Sequence, residues 1–159
     1  MMKPASVSEI KKKLKETDKT ALIEICQRLA RFKKENKELL TYLLFEEDDL
    51  PGYIKNVKEE IDEGFLQVNT SNVYFAKKTI RKVLRIANKH IRYTNSKIAE
   101  VEILLHYLTN FKGMNLNWQK SAALINLYKA QLKKIDAAIS TMHDDLQYDY
   151  RREWNRLTL

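Results

Sequence analysis

The sequence predicts an all-α protein, and three observations lead to this prediction. Only three Gly and two Pro occur among the 159 residues, so few positions can break a helix. Apolar residues recur at intervals of three and four along most of the chain, which is the period of one helix face. No segment shows the alternation that is typical of a half-buried strand. We therefore expect one domain over residues 1–159, an irregular antiparallel helical bundle or short helical-hairpin superhelix of about six or seven helices.

Capping signals and apolar spacing predict the first three helices. Ser6 followed by Glu9 has the spacing of a capping box, which predicts a helix over about 7–16. Asp18 or Thr17 can cap a second helix, and a third can begin near Lys34 or Glu35. We expect these two helices to bury their apolar side chains, which are Leu22, Ile25, Cys26, Leu29 and Ala30 in the second and Leu39, Leu40, Tyr42, Leu43 and Leu44 in the third.

The next two helices are separated by a polar hinge. The acidic connector Glu46–Asp49 precedes a fourth helix that should run from Pro51 to about residue 63, because proline is tolerated in a first turn. Gly64 is expected to end this helix. Ser71 is the expected cap of a fifth helix, which should end near Asn95.

The C-terminal third of the chain is predicted to hold two helices. Ser96 can start a sixth helix that stops at Gly113, a good C-terminal residue. From Trp118 onward the apolar spacing continues for about four heptads, which predicts one long helix. We expect this helix to be an internal packing element, and a homodimeric coiled coil is the alternative.

The fifth helix has an unusual charge pattern. Between Thr70 and Lys97 there are eight Lys or Arg residues and no Asp or Glu, in a chain whose net charge is +8. At about 100° per residue, seven of these cations fall on one side of the helix, opposite its apolar residues. We call this set the basic stripe, and its members are Lys77, Lys78, Arg81, Lys82, Arg85, Lys89 and Arg92.

The basic stripe has three possible roles. It can be solvated or paired with the acidic residues of 46–63. It can bind the phosphate backbone of a nucleic acid, with Tyr74, Phe75 and Tyr93 stacking on bases. It can also bind a protein partner with an acidic surface, whereas an anionic membrane is disfavoured because the core needs the apolar side of this helix.

Signals for catalysis and cofactor binding are weak. The three glycines are too scattered for a phosphate-binding loop, and no cofactor or metal site is expected. Glu102 and His106 lie one turn apart, which makes a surface hydrogen bond the expected role. His143 and Asp145 belong to the densest group of acid–base side chains, and a metal-dependent enzyme that uses them is a third functional alternative. We expect a solvated helix face there, and a protein that is not an enzyme.

The expected compartment is the cytoplasm. The single cysteine excludes an intrachain disulfide and is typical of a reducing environment. Residues 1–8 lack the apolar core of a signal peptide, and no apolar run approaches the roughly 20 residues of a membrane span.

A resemblance to a known family is carried mainly by Thr17–Phe45, which reads TDKTALIEICQRLARFKKENKELLTYLLF. This segment resembles the N-terminal part of a family of small bacterial all-helical proteins known only as a domain of unknown function. Weaker likeness continues through Ala76–Ile80, the apolar run at Leu104, Leu105 and Leu108, and the sequence HDDL at 143–146 with Tyr148 and Tyr150. The resemblance implies an all-helical, cytoplasmic, bacterial protein and implies no activity or site residues.

A second resemblance concerns the N-terminus. Ser6–Ala30 reads helix, short link, helix, and is similar to a SAP-type module, which would imply DNA binding. The link Thr17–Lys19 is shorter than the glycine-containing link of that module.

These observations together predict a non-enzymatic protein-interaction module whose contact surface is the basic stripe. Sequence-independent nucleic-acid binding by the same residues is the alternative. A homo-oligomer through the C-terminal helix is also possible.

Overall fold

The computed structural model describes all 159 residues, which form eight α-helices and no β-strand. This confirms the all-α prediction, although the number of helices is higher than expected. The chain divides into two compact units, residues 1–45 and 46–159, and each is described by itself.

Unit 1 contains the first three helices. They are α1 (Val7–Lys15), α2 (Lys19–Phe32) and α3 (Lys34–Thr41), and a π-helical turn follows at Tyr42–Glu46. The predicted capping box is confirmed, since Glu9 N–H donates to Ser6 Oγ at 3.2 Å and Ser6 N–H donates to the Glu9 carboxylate at 2.7 Å. Asp18 caps α2 by accepting from the backbone N–H of Ala21 at 2.8 Å.

The prediction that α2 and α3 bury their apolar faces is wrong for most of these residues. Neither helix contains a buried residue, although the next turn buries Tyr42. The thiol-bearing Cys26 is exposed, as are Ile25, Leu29, Leu43 and Leu44. The physical reason is that α2 and α3 form a two-helix hairpin, in which each helix can cover only one side of the other.

Unit 2 contains the remaining five helices. They are α4 (Leu50–Leu66), α5 (Val73–Thr94), α6 (Lys97–Gly113), α7 (Ala122–Ile139) and α8 (Asp144–Leu157), with a 3₁₀ turn at Trp118–Lys120. Helix α6 lies at the centre and packs against all four others. Its buried residues span about two thirds of the helix circumference, which is wider than one stripe, and leave a side at Glu102, His106 and Thr109 that is not buried.

An aromatic cluster fills the core of unit 2 beside α6. Trp118 stacks on Tyr128 with ring centroids 4.9 Å apart, and Phe111 meets both rings edge-on. The Tyr128 hydroxyl donates to the backbone carbonyl of Leu157 at 2.6 Å, and burial raises the pKa of Tyr128 to about 12. This hydroxyl therefore stays protonated and joins α7 to the end of α8.

The expected single C-terminal helix is two helices. Helix α7 ends at Ile139, where the hydroxyls of Ser140 and Thr141 donate back to backbone carbonyls of α7. Helix α8 then folds back onto α7 and α6, and Trp154 donates its indole N–H to the carbonyl of Leu132 at 2.9 Å. The continuous apolar stripe needed for a coiled coil is therefore interrupted. Formation of a homo-oligomer through this part of the chain stays a prediction.

Gly64 does not end α4, contrary to the sequence prediction, because it lies inside the helix where α4 meets α5. A Cβ atom at this position would lie 2.6 Å from Cγ2 of Val83, a buried residue of α5. The absence of a side chain at Gly64 therefore allows the two helix backbones to approach closely.

We expect Gly64→Ala to lower the free energy of unfolding by about 1–3 kcal/mol, because the β-branched Val83 has little rotamer freedom to move aside. Urea unfolding followed by circular dichroism measures the change. Gly113→Ala is the matched control, since nothing lies within 4 Å of a Cβ atom there. The double variant Gly64→Ala/Val83→Ala should be less destabilised than the sum of its single variants. Wild-type stability in Gly64→Ala would contradict the close approach.

Candidate functional site

The basic stripe lies on the solvent side of α5. Asn72 caps the helix by accepting from the backbone N–H of Phe75 at 3.2 Å, so Asn72 takes the role expected of Ser71. Asn95 ends the helix in the left-handed conformation, with a φ of 47°. Apolar residues anchor the opposite side against α4 and α6, and these are Ala76, Ile80, Val83, Leu84, Ala87 and Ile91. Because these apolar residues are buried, the cations on the opposite side face solvent.

Most cations of the stripe are exposed and lack a carboxylate partner. Lys77 and Lys89 are half-buried, and the other five are exposed. No Asp or Glu oxygen lies within 4 Å of six members, namely Lys77, Lys78, Arg81, Lys82, Arg85 and Arg92. Uncompensated positive charge therefore runs along about 21 Å of helix, at about 1.5 Å per residue from Lys78 to Arg92.

Two of the four acidic residues of α4, Glu60 and Asp62, contact groups outside the basic stripe. Glu60 lies 2.9 Å from Nε2 of His90, which is on the side of α5 that faces α4. Asp62 lies 2.6 Å from Nε2 of His106 and accepts from the amide of Asn110 at 2.9 Å. The expected ion pairs between residues 46–63 and these six cations therefore do not form. Pairing fails because α4 packs against the apolar side of α5, where the carboxylates of Glu60 and Asp62 contact His90 and His106.

Two exposed aromatic side chains lie at the start of α5, next to the first cations. The side chain of Tyr74 is 62% exposed and that of Phe75 is 51% exposed, and their rings meet edge-on at 5.5 Å. The ammonium group of Lys78 lies 4.8 Å from the centre of the Tyr74 ring. The third aromatic residue considered for stacking, Tyr93, is buried and packs edge-on against His90, so that prediction is wrong. Only one end of the basic stripe therefore offers rings for stacking.

A further cation borders the stripe from the neighbouring helix α7. The ammonium group of Lys134 donates to Oδ1 of Asn88 at 3.2 Å. Asn88 lies one turn after Arg85, on the margin of the stripe. Lys134 could not be predicted from local spacing, because 46 residues separate it from Asn88 and only the packing of the helices brings them together.

The acid–base groups considered for catalysis are dispersed. His143 caps α8 and lies 3.7 Å from Asp145, and both side chains are almost fully exposed. No group of three or more His, Cys, Asp or Glu side chains is placed to hold a metal ion. These residues therefore show the geometry of a helix N-terminus in solvent.

Glu102 and His106 do not contact each other as the sequence suggested. Glu102 accepts from Lys58 at 3.4 Å and from the Tyr150 hydroxyl at 3.3 Å, whereas His106 contacts Asp62. Burial is the main cause that raises the pKa of Tyr150 to about 12, and the nearby Glu102 carboxylate is the second cause. Tyr150 thus acts as a hydrogen-bond donor that holds α8 against α6.

Unit 1 presents a second feature, an apolar groove between α2 and α3. We call it the α2–α3 groove. It has a volume of about 450 Å³, and Leu22, Cys26, Ala30, Leu40, Leu44 and Phe45 are among its lining residues. The sequence contained a signal for this groove, since both helices carry apolar residues at helical spacing and the hairpin provides no further helix to cover them.

Comparison with protein-family models, curated proteins and solved structures finds no match for this chain. No helix of the structure is both long and apolar enough to cross a bilayer.

Proposed function

We propose that this protein binds the phosphate backbone of nucleic acids through the basic stripe, without sequence specificity. The observation that carries the proposal is the row of exposed cations on α5 that lack carboxylate partners. Lys and Arg side chains in such a row can replace the counterions condensed on a polyphosphate, which is the main source of nonspecific affinity. The function requires no catalytic group, and we propose that the protein is not an enzyme.

The dimensions of the stripe suit a polyphosphate. Its length of about 21 Å corresponds to about six phosphates of one strand at about 3.4 Å along the axis of B-DNA. The exposed rings of Tyr74 and Phe75 at one end can stack on unpaired bases, and such stacking does not depend on base identity. The length therefore suits either form of nucleic acid, whereas the exposed rings favour a single strand over a duplex.

We expect the salt dependence of binding to reveal the phosphate contacts. With four or five contacts, the affinity for a labelled 20-nucleotide single strand should fall about 10²-fold between 50 and 200 mM salt. Fluorescence anisotropy with the full-length protein measures this change, and a duplex of the same sequence is run in parallel. Absence of binding at 50 mM, or an affinity independent of salt, would overturn the proposal.

The variant Tyr74→Ala/Phe75→Ala tests the stacking contribution within the same experiment. We expect about 10-fold weaker binding to the single strand, little change for the duplex and an unchanged salt slope. Equal losses for both nucleic acids would contradict stacking.

A protein partner with an acidic surface, which the sequence favoured, is the second candidate. The observation in its favour is that exposed apolar and aromatic side chains border the cations, since interfaces between proteins are enriched in Tyr, Phe and Arg. Polyglutamate is a suitable competitor for this surface. Two results together would favour the second candidate: polyglutamate displaces the oligonucleotide at equal charge concentration, and Tyr74→Ala/Phe75→Ala binds the oligonucleotide as tightly as the wild type.

The other expectations from the sequence stay predictions. We propose a cytoplasmic location because the single cysteine is an exposed free thiol, which a reducing compartment preserves. Membership of the small bacterial helical family and a SAP-like role for residues 6–30 also stay proposals, supported only by the residues quoted above.

A further inference from the structure

The α2–α3 groove of unit 1 is an apolar surface that its own unit leaves open. Leu44 and Phe45, which line one end of the groove, are 70% and 76% exposed. Large apolar side chains gathered in one concave site are uncommon on a free protein surface and mark binding sites. We therefore expect a binding partner to cover the groove, rather than water.

All charged residues that line the groove are positive. They are Lys19, the first residue of α2, and Lys37, in the first turn of α3. An adjoining depression shares Lys37 and adds three further cations, Arg31, Lys33 and Lys34. No acidic residue lines either depression, and only Lys34 forms an ion pair, with Glu38 at 3.8 Å. The occupant should therefore carry negative charge beside its apolar residues.

The charge also argues against two occupants from this chain, a second copy and helix α1. Unit 1 contains eleven Lys and Arg against six Asp and Glu, a net charge of +5. A second copy seated on the groove would bring Lys19 and Lys37 of both chains together, which is unfavourable. Helix α1 has an exposed apolar stripe, but four of its nine residues are lysines, Lys11, Lys12, Lys13 and Lys15. Helix α1 is therefore positively charged like the groove, which disfavours its binding there.

The shape of the groove suits a helix. From Lys19 to Ala30 the groove follows α2 for about 16 Å, which is the length of about three helical turns. A concave apolar groove between two helices is the typical receptor for an amphipathic helix, whereas a membrane-bound helix presents a convex apolar face.

We propose that the α2–α3 groove binds an amphipathic helix of about three turns from an acidic partner protein. The apolar face of this helix packs on Leu22, Leu40 and Leu44, and its flanking carboxylates meet Lys19 and Lys37. This inference does not depend on nucleic-acid binding, because the groove and the basic stripe lie in different units.

Designed peptides added to the full-length protein test the proposal. The first peptide has 16 residues, with leucines at i, i+3, i+4, i+7 and i+11 and with glutamate and alanine elsewhere. The second peptide has lysine in place of each glutamate, and the third has the composition of the first with the leucines scrambled. Fluorescence anisotropy should show at least 10-fold tighter binding of the first peptide than of either other peptide.

Cys26 provides an independent readout, because it is the only cysteine and lines the groove. A saturating amount of the acidic peptide should slow the reaction of Cys26 with a water-soluble thiol reagent at least fivefold. Peptide binding that leaves the reaction rate unchanged would place the peptide elsewhere and overturn the proposal.

Two matched variants locate the contact. Leu44→Glu, at a lining residue, should weaken binding of the acidic peptide at least 10-fold. Leu29→Glu makes the same change at a residue that is 52% exposed and does not line the groove, and its affinity should stay at the wild-type value. Lys19→Glu/Lys37→Glu should reverse the preference towards the lysine peptide.

Three further results would overturn the proposal. One is equal binding of the glutamate and lysine peptides. Another is a dimer in solution that bismaleimide cross-links through Cys26, since the occupant would then be a second copy. The third is binding to phosphatidylserine vesicles that Leu44→Glu abolishes, since the groove would then be a membrane contact.

Discussion

Replacement of Lys78, Lys82 and Arg85 by glutamate is expected to lower the affinity for a single-stranded oligonucleotide about 10³-fold at 50 mM salt. All three side chains are exposed, lack carboxylate partners and line the same shallow depression on α5. Loss of three phosphate contacts removes the counterion release that each contributes. The slope of log affinity against log salt should become shallower by about 2, at about 0.7 per contact for a single strand.

The control for this variant changes the net charge equally at another place. Lys11→Glu/Lys12→Glu/Lys15→Glu alters exposed residues of α1 in unit 1 and should retain most of the affinity. Glutamate is a good helix former, so both variants should keep the circular dichroism spectrum of the wild type. Equal losses of affinity in both variants would assign binding to the overall charge or to the SAP-like segment 6–30, and would contradict a site confined to α5.

Trp118→Ala is expected to lower the free energy of unfolding by about 3–5 kcal/mol, which is the usual cost of truncating a buried tryptophan. Trp118 is only 1% exposed and contacts the rings of Phe111 and Tyr128. Its removal leaves a cavity beside α6, the central helix of unit 2. The melting temperature, followed by near-ultraviolet circular dichroism, should fall by roughly 10 °C or more.

Tyr148→Ala is the comparison for this variant. Tyr148 lies on α8 and is mostly exposed, so its truncation should change the free energy of unfolding by less than about 0.5 kcal/mol. A Trp118→Ala variant as stable as Tyr148→Ala would show that the aromatic cluster does not hold unit 2 together.

Local signals predicted most helix starts correctly. Ser6, Asp18 and Ser96 each cap the helix that was assigned to them, because a cap is a hydrogen bond between residues two or three positions apart. Gly64 was misjudged because its role depends on Val83, a residue of another helix. The break after Ile139 was missed because the apolar period continues through it, although Ser140, Thr141 and the acidic pair Asp144–Asp145 are ordinary stop and start signals.

The two candidate sites also differ in how far local sequence predicts them. Periodicity alone placed the basic stripe on one side of α5 and its apolar residues on the other, and the structure has this arrangement. The burial of α2 and α3 was overestimated. An apolar face shows that a helix is stabilised by packing against a partner surface, but it does not show that the same fold provides that surface. The groove in unit 1 follows from that missing partner.

The sequence by itself determined the helical class, most helix starts and the segregation of charge along α5, since these depend on side chains within about one or two turns of each other. Only the tertiary structure decided that the carboxylates of α4 meet His90 and His106, that Lys134 joins the margin of the basic stripe, and that α8 folds back on α7. Each of these contacts joins residues from different helices, and the direction in which helices pack depends on how their apolar faces fit together rather than on local spacing.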